Sequence, residues 1–247
     1  MNLEQKHIVV TGGGTGVGVA SAAALAEAGA RVTVMGRREA ELAASGFPYQ
    51  VCDVTDPAAV TAAFESARGE NGPVLGVVAS AGRAESVPFA RMPLETLNAM
   101  LTVNLVGVVN VWQAALPDMK AAGWGRLIAI ASIAGLKGHA YVSGYCASKH
   151  AVIGLTRALA LELAETGITV NAVCPGYVET PMLERAVAGI VDKTGMSTEE
   201  ARATLAKSNP QRRFIQADEV AGSVRWLCSE EARSVNGHAL TLSGGEP

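Results

Sequence analysis

The sequence predicts an α/β fold: a single parallel sheet with helices on both faces. Three observations carry that reading. Short runs of β-branched residues alternate with Ala-rich helical segments along most of the 247 residues. The strand-like runs are apolar nearly throughout, as parallel strands covered on both faces are. The composition, 49% hydrophobic with 27 Gly and only 4% aromatic residues, suits close packing of helices onto a sheet. No repeat, low-complexity tract or linker interrupts the chain, so one domain is expected over residues 1–247.

The bulk numbers exclude several classes. A net charge of -3 gives no global basic field for nucleic acid. The N-terminus, M-N-L-E-Q-K, has no apolar core of a signal peptide, and no uninterrupted apolar run reaches membrane-spanning length. Cys52, Cys146, Cys174 and Cys228 are scattered without a C-x-x-C pair. Buried free thiols, a reducing cytoplasmic setting and no metal site are expected.

In chain order, His7 to Thr11 reads as the first strand, ending in T-G-G-G-T-G-V-G. Val19 to Ala28 follows as a helix. Strand, glycine turn, helix is the setting a dinucleotide fingerprint requires. Gly12, Gly16 and Gly18 permit a tight turn, close backbone approach to a pyrophosphate and close helix packing. The helix N-terminus then offers free N–H groups to phosphate. Arg31 to Met35 is the second strand. A carboxylate at its end would hold the ribose hydroxyls of NAD, but the chain has Gly36-Arg37-Arg38 and no acid until Glu39. That favours the 2′-phosphate of NADP(H), with NAD(H) possible. Phe47 to Val51 is the third strand, leading to Asp53, which either accepts from the adenine amino group or caps the next helix, Ala58 to Arg68.

Val74 to Ala79 is the fourth strand, followed by Ser80-Ala81-Gly82. Pro93 to Ala122 holds one long helix or two abutting ones, with Asn104 in an apolar setting. A buried Asn must be hydrogen-bonded; it braces the helix or holds a water. The fifth strand, Gly125 to Ser132, delivers Ser132 at its C-terminal end, where open α/β sheets place ligands. Gly144 to Ala164 is a helix carrying Tyr145 and Lys149. Four residues apart, these share one face. A phenol has a reference pKa of about 10, and a nearby ammonium is expected to lower it. Tyr145 then exchanges a proton with a carbonyl or alcohol, while Ser132 holds the same oxygen. Thr169 to Cys174 is the sixth strand, ending at Pro175-Gly176. Residues 176–213 form a polar insertion, with short helices at Met182–Ile190 and Thr198–Lys207, read as a substrate-binding loop. Ala217–Cys228 and Ala239–Leu242 are the last helix and strand.

On these residues the chain resembles the classical short-chain dehydrogenase/reductase family over its whole length. The motifs are Thr11–Gly18, Asp53, Asn104, Ser132, Tyr145, Lys149 and P-G-Y-V-E-T at Pro175–Thr180. The resemblance implies a Rossmann fold with seven parallel strands. It assigns Tyr145 as acid/base, Ser132 as carbonyl binder, and Lys149 as binder of the nicotinamide ribose and modulator of Tyr145. Asn104 would support a water in the proton relay, and Thr180 would contact the carboxamide. The remaining cofactor contacts it implies are Gly12, Thr15, Gly16, Val17 and Gly18 in the first turn, and Arg37, Arg38, Asp53 and Val54 on the adenosine side. Ser80, Ala81, Gly82, Pro175, Gly176 and Val178 complete them. One departure is Ala79-Ser80-Ala81-Gly82, where the family usually has Asn-Asn-Ala-Gly.

Within the family, Ala81-Gly82-Arg83, Ser148-Lys149-His150 and the stretch Gly167–Met182 are most similar to β-ketoacyl and aromatic polyketide ketoreductases. The activity implied is NADPH-dependent reduction of a 3-oxoacyl thioester, or the reverse oxidation, with the acyl group on CoA or acyl carrier protein. A dehydrogenase of a free secondary alcohol, sugar or steroid is the alternative. A non-catalytic NADP-sensing regulator is a third, opposed by the intact Ser132, Tyr145 and Lys149. Arg83 is expected to meet carrier phosphate, with Arg185, Lys193, Arg212 or Arg213 adding charge or staying solvated. His139 is read as structural. Apolar helices around Asn104–Ala115 and from Gly144, with the family resemblance, imply a homotetramer.

Overall fold

The computed structural model describes residues 3–246. Among them the strands form one seven-stranded sheet, parallel at every pairing, in the order β3-β2-β1-β4-β5-β6-β7. The strands are β1 (His7–Thr11), β2 (Arg31–Gly36), β3 (Tyr49–Val51), β4 (Val74–Ala79), β5 (Gly125–Ile130), β6 (Ile168–Pro175) and β7 (Ala239–Leu242). The order reverses at β1, which pairs with β2 on one side and β4 on the other. Beyond the C-terminal ends of β1 and β4 lies the crevice in which such sheets bind ligands.

Side-chain alternation sends each strand into two cores. Val9, Leu127 and Val170 face one side, where Phe64, Trp112, Val152 and Ile153 pack. Ile8, Val10, Ile128 and Val173 face the other, against Leu25, Val220, Val224 and Leu227. The first set belongs to α3 (Pro57–Asn71), α5 (Gly107–Ala122) and α6 (Ser143–Glu162), the second to α1 (Gly16–Glu27) and α9 (Ala217–Cys228). Each such fully buried side chain contributes about 1.5–3 kcal/mol, and together they hold the sheet rigid beneath the crevice.

The long apolar segment is helical over nearly the expected residues, with two features the sequence does not mark. Leu94–Ala122 is one continuous 29-residue helical run, long and apolar enough by length and composition to cross a membrane. Its apolar residues have another use: Val108, Val111, Trp112, Ala115 and Met119 are buried on the sheet. The run consists of α4 (Leu94–Leu101), a π-helical turn at Thr102–Val106, and α5. The sequence pattern marks the two helices but not the π turn between them.

Three further details differ. Strand β5 stops at Ile130, so Ser132 lies in the loop beyond, where it caps a 3₁₀ turn at Ile133–Gly135. After Arg38 a short helix forms, α2 (Glu39–Ala44), which the sequence pattern does not mark; burial of Leu42 holds it in place. The insertion carries α7 (Pro181–Thr194) and α8 (Thr198–Ala206), which share a small core of Leu183, Val187 and Ala201. Ser197 and Glu200 cap α8 reciprocally, and Arg202 pairs with both Glu179 and Glu184. The excursion is thus a folded unit rather than a loose loop.

Candidate active site

The crevice floor is the turn after β1. Gly12 has φ +65°, and a Cβ there would lie 2.9 Å from the Ala81 nitrogen. At Gly18 a Cβ would strike the Gly12 carbonyl at 2.1 Å. These two positions therefore require glycine, and they leave bare backbone facing the crevice at the N-terminus of α1. Thr11 joins the two sides of the switch point: its hydroxyl accepts from Ser80 N and Ala81 N, each at 3.2 Å. Thr180 stands at the start of α7 close by, with its Cγ2 3.1 Å from a Cβ built on Gly16. The P-G-Y-V-E-T segment and the glycine turn thus meet.

At the edge of the crevice, Arg37 and Arg38 are both exposed and both near carboxylates. Arg38 is tied to Glu41 at 2.6 Å, whereas Arg37 stands 3.7 Å from Asp53. Asp53 accepts from Thr55 N at 3.0 Å and Thr55 Oγ1 at 2.8 Å. Burial works to raise its pKa, but those hydrogen bonds and the Arg37 charge prevail and lower it. It caps no helix; Asp56 does that for α3.

Tyr145 and Lys149 project from the first turns of α6 as their spacing requires. The Lys149 ammonium lies 5.7 Å from the centre of the Tyr145 ring and donates to the Ile130 carbonyl at 2.8 Å. The Ser132 side chain hydrogen-bonds the Tyr145 phenol. Burial dominates the electrostatics here. It pushes Tyr145 up to about 12, against the lowering effect of Ser132. It brings Lys149 down to about 8. The expectation that Lys149 depresses the phenol pKa is not met in this structure, because desolvation disfavours both charged forms. Tyr145 is consequently a protonated acid throughout the physiological range.

Asn104 is fully buried on the π turn, which rotates it out of the α-helical register. Its Oδ1 accepts from Arg83 N at 2.8 Å, and its Nδ2 donates to Arg83 O at 2.8 Å and to Ser148 Oγ at 2.9 Å. Ser148 Oγ in turn donates to the Tyr145 carbonyl at 2.8 Å. Asn104 therefore braces the loop following Gly82 against the helix that bears Tyr145. Of the two roles open to it from the sequence, bracing is the one visible in its contacts. Gly82 sits between them: a Cβ there would lie 3.4 Å from Asn104 Oδ1 and 3.8 Å from the Lys149 ammonium.

A family model described as short chain dehydrogenase matches residues 6–190. The chain belongs to the short-chain dehydrogenase family. It is 35% identical to 3-oxoacyl-(acyl-carrier-protein) reductase MabA of Mycobacterium bovis, over 97% of this chain and 92% of the relative. To D-beta-hydroxybutyrate dehydrogenase of Cupriavidus necator it is 34% identical, over 98% of each. Among solved structures it is similar to a single-residue variant of actinorhodin polyketide ketoreductase with NADPH, with 37% identity, a TM-score of 0.93, and coverage of 99% of this chain and 98% of that one. As a short-chain dehydrogenase it is an oxidoreductase acting on an alcohol or its ketone, built on a single-domain Rossmann fold.

The residues expected at the mouth fare unevenly. Arg83 pairs with Glu85 at 2.8 Å, and Arg213 is bound by Glu219. Lys193 donates to the Ser86 carbonyl at 2.9 Å and Arg212 to the Lys207 carbonyl at 3.2 Å. These side chains are engaged within the protein, since neighbouring carboxylates and carbonyls reach them first. Thr11 and Ser148 stand inside motifs the sequence marks, Thr11–Gly18 and Ser148-Lys149-His150, but the sequence assigns neither of them a role; the bracing they provide depends on partners distant along the chain.

Proposed function

We propose that the protein reduces a 3-oxoacyl thioester with NADPH, and oxidises the corresponding 3-hydroxyacyl thioester in reverse. The observation that carries the reading is the grouping of Tyr145, Ser132 and Lys149 at the sheet's C-terminal edge, braced by Asn104, beside a glycine cradle. The cradle fits a dinucleotide: Gly12 and Gly18 have no room for a side chain, which lets the turn after β1 pack its backbone directly on the first turn of α1. Ser80, Ala81, Gly82, Pro175, Gly176, Val178 and Thr180 would flank it, with Thr15 and Val17 in the turn and Val54 beside Asp53. Arg37, with only a 3.7 Å contact to Asp53, is the cation better placed to turn toward a 2′-phosphate; Arg38 is more firmly paired. When bound, the nicotinamide supplies a hydride to the ketone carbon.

The chain's own residues do the rest. Ser132 and Tyr145 hold the ketone oxygen, and Tyr145 gives it a proton as charge develops there. Lys149 places a positive charge behind the phenol and stabilises the phenolate left by that transfer. Asn104 and Ser148 fix the first turn of α6, so that the phenol does not wander from the oxygen. The α7–α8 unit covers the crevice as the substrate-binding segment. The thioester class is supported by likeness to the 3-oxoacyl reductase and the polyketide ketoreductase. A CoA or acyl-carrier-protein partner follows from the same class.

A second reading, an NAD(H)-linked dehydrogenase of a free secondary alcohol, is favoured by two observations. Both adenosine-side arginines already contact carboxylates, and a relative at 34% identity is a hydroxybutyrate dehydrogenase. A panel of 3-oxoacyl thioesters and free ketones, each with NADPH and NADH, separates the two. Thioester turnover with NADPH is expected; activity confined to free hydroxy acids with NAD(H) overturns it. Arg37→Ala is expected to weaken NADPH by about tenfold or more relative to NADH, the worth of a charge-assisted hydrogen bond. Equal losses for both cofactors would remove Arg37 from 2′-phosphate recognition.

A further inference from the structure

The segment after β7, Ser243–Glu246, is held against both walls of the proposed substrate mouth. Glu246 is only 9% exposed, yet it is a carboxylate. Its Oε1 pairs with the Lys137 ammonium at 2.8 Å. Lys137 stands on the loop between Ser132 and Tyr145, the two groups that hold the ketone oxygen. On the other wall, Gly244 abuts Asn209 at the exit of the α7–α8 unit. A Cβ on Gly244, whose φ is +66°, would lie 2.0 Å from Asn209 Oδ1, and Asn209 is itself buried. Gly245 packs toward Pro210. The segment also touches the β6 exit, where a Cβ on Gly176 would lie 3.8 Å from the Ser243 Cα.

Charge links the same groups. Tyr177 is raised chiefly by burial and further by the Glu246 carboxylate, and Tyr177 in turn raises Tyr145. His139, on the Lys137 loop, has its Nε2 buried without a hydrogen-bond partner. Its pKa is lowered chiefly by burial, and it feels both Glu246 and Lys137. Ser243, Gly244, Gly245 and Glu246 also line an open pocket of about 390 Å³, with Arg213 and Glu219, so the segment is not packed solid on every side. Its place depends on the contacts it does make. Among these the Glu246–Lys137 pair is the charged one.

The geometry points to Glu246 as a positioning residue: through Lys137 it straps the α7–α8 unit to the Ser132–Tyr145 loop and sets the width of the substrate mouth. This rests on the reductase reading for its kinetic consequence but not for its structural one. The test is a charge-swap cycle in the full chain: Glu246→Lys, Lys137→Glu and the double variant, with Glu246→Gln as a milder break. Hydrogen exchange is measured across residues 137–142 and 207–213, together with kcat and KM for a 3-oxoacyl-CoA. Each single variant is expected to speed exchange in both segments. It should also raise KM at least about threefold while kcat stays within about twofold, and the double variant should restore both readings. Unchanged exchange in the single variants, or a double variant no better than the worse single, overturns the strap. Should a charge-reversed chain fail to fold, Glu246→Gln decides by the same two readings. If the wild type reduces no thioester, the exchange data alone decide the strap and the reductase reading falls separately.

Discussion

Lys149 shows how one residue can cost stability and supply function. Its ammonium is 5% exposed and its pKa falls to about 8 because burial disfavours the charge. The unfolded chain holds that proton up to about pH 10.4. Between these values the unfolded state binds more protons, so stability rises with pH across that window, and the full cost is present below pH 8. Lys149→Met is therefore expected to raise stability at pH 7 by up to about 3 kcal/mol, with the gain vanishing above about pH 10.4. Denaturant titration at pH 7 and pH 10 checks both points. Activity should be lost in the same variant. In the wild type, Tyr145 stays protonated because its pKa is near 12, so the descending limb that a deprotonating acid would add lies above the physiological range. The kcat/KM for ketone reduction is expected to be flat below pH 8 and to fall above it as Lys149 loses its charge. A profile that rises through pH 8 would contradict this assignment.

At the scale of elements, the join between α4 and α5 matters most. A π turn there buries Asn104, whose amide serves the two backbone groups of Arg83 and the hydroxyl of Ser148. Asn104→Ala leaves a buried donor and acceptor without partners, and should cost about 1–3 kcal/mol of stability in chemical denaturation. It should also lower turnover by freeing the first turn of α6; intact turnover with reduced stability would confine Asn104 to a structural part. The strands and long helices are legible in the sequence because apolar periodicity is written locally. The Tyr145–Lys149 pair is legible for the same reason, being one helical turn apart. The π turn, the exact end of β5 before Ser132 and the short α2 are not, since each is decided by packing partners distant in sequence. The direction of the Tyr145 pKa runs against the sequence expectation because charge proximity can be read from spacing, whereas desolvation depends on the whole fold. The Ser243–Glu246 strap joins the Lys137 loop to Asn209, segments far apart along the chain, and leaves no local trace.

For the whole molecule, the crevice at the β1/β4 switch point organises everything: the glycine turn enters from one side, the Ser132–Tyr145–Lys149 group from the other, and the α7–α8 unit starts beside the glycine turn at Thr180. Leu161, 82% exposed on α6, is apolar surface that the single chain leaves uncovered. Much of the apolar face of α5 is instead spent on the sheet. A homotetramer remains the proposed assembly, and light scattering at micromolar concentration is expected to give four times the mass of one chain; a monomeric mass would contradict it. The central claim, that Tyr145 is the proton donor of an NADPH-dependent 3-oxoacyl reductase, is tested most directly by following NADPH absorbance with a 3-oxoacyl-CoA for the wild type and for Tyr145→Phe. The wild type should consume NADPH, and the variant should lose roughly 10²–10⁴-fold in turnover while binding NADPH almost unchanged. A Tyr145→Phe protein that turns over near the wild-type rate, or a wild type that leaves NADPH untouched, would contradict it.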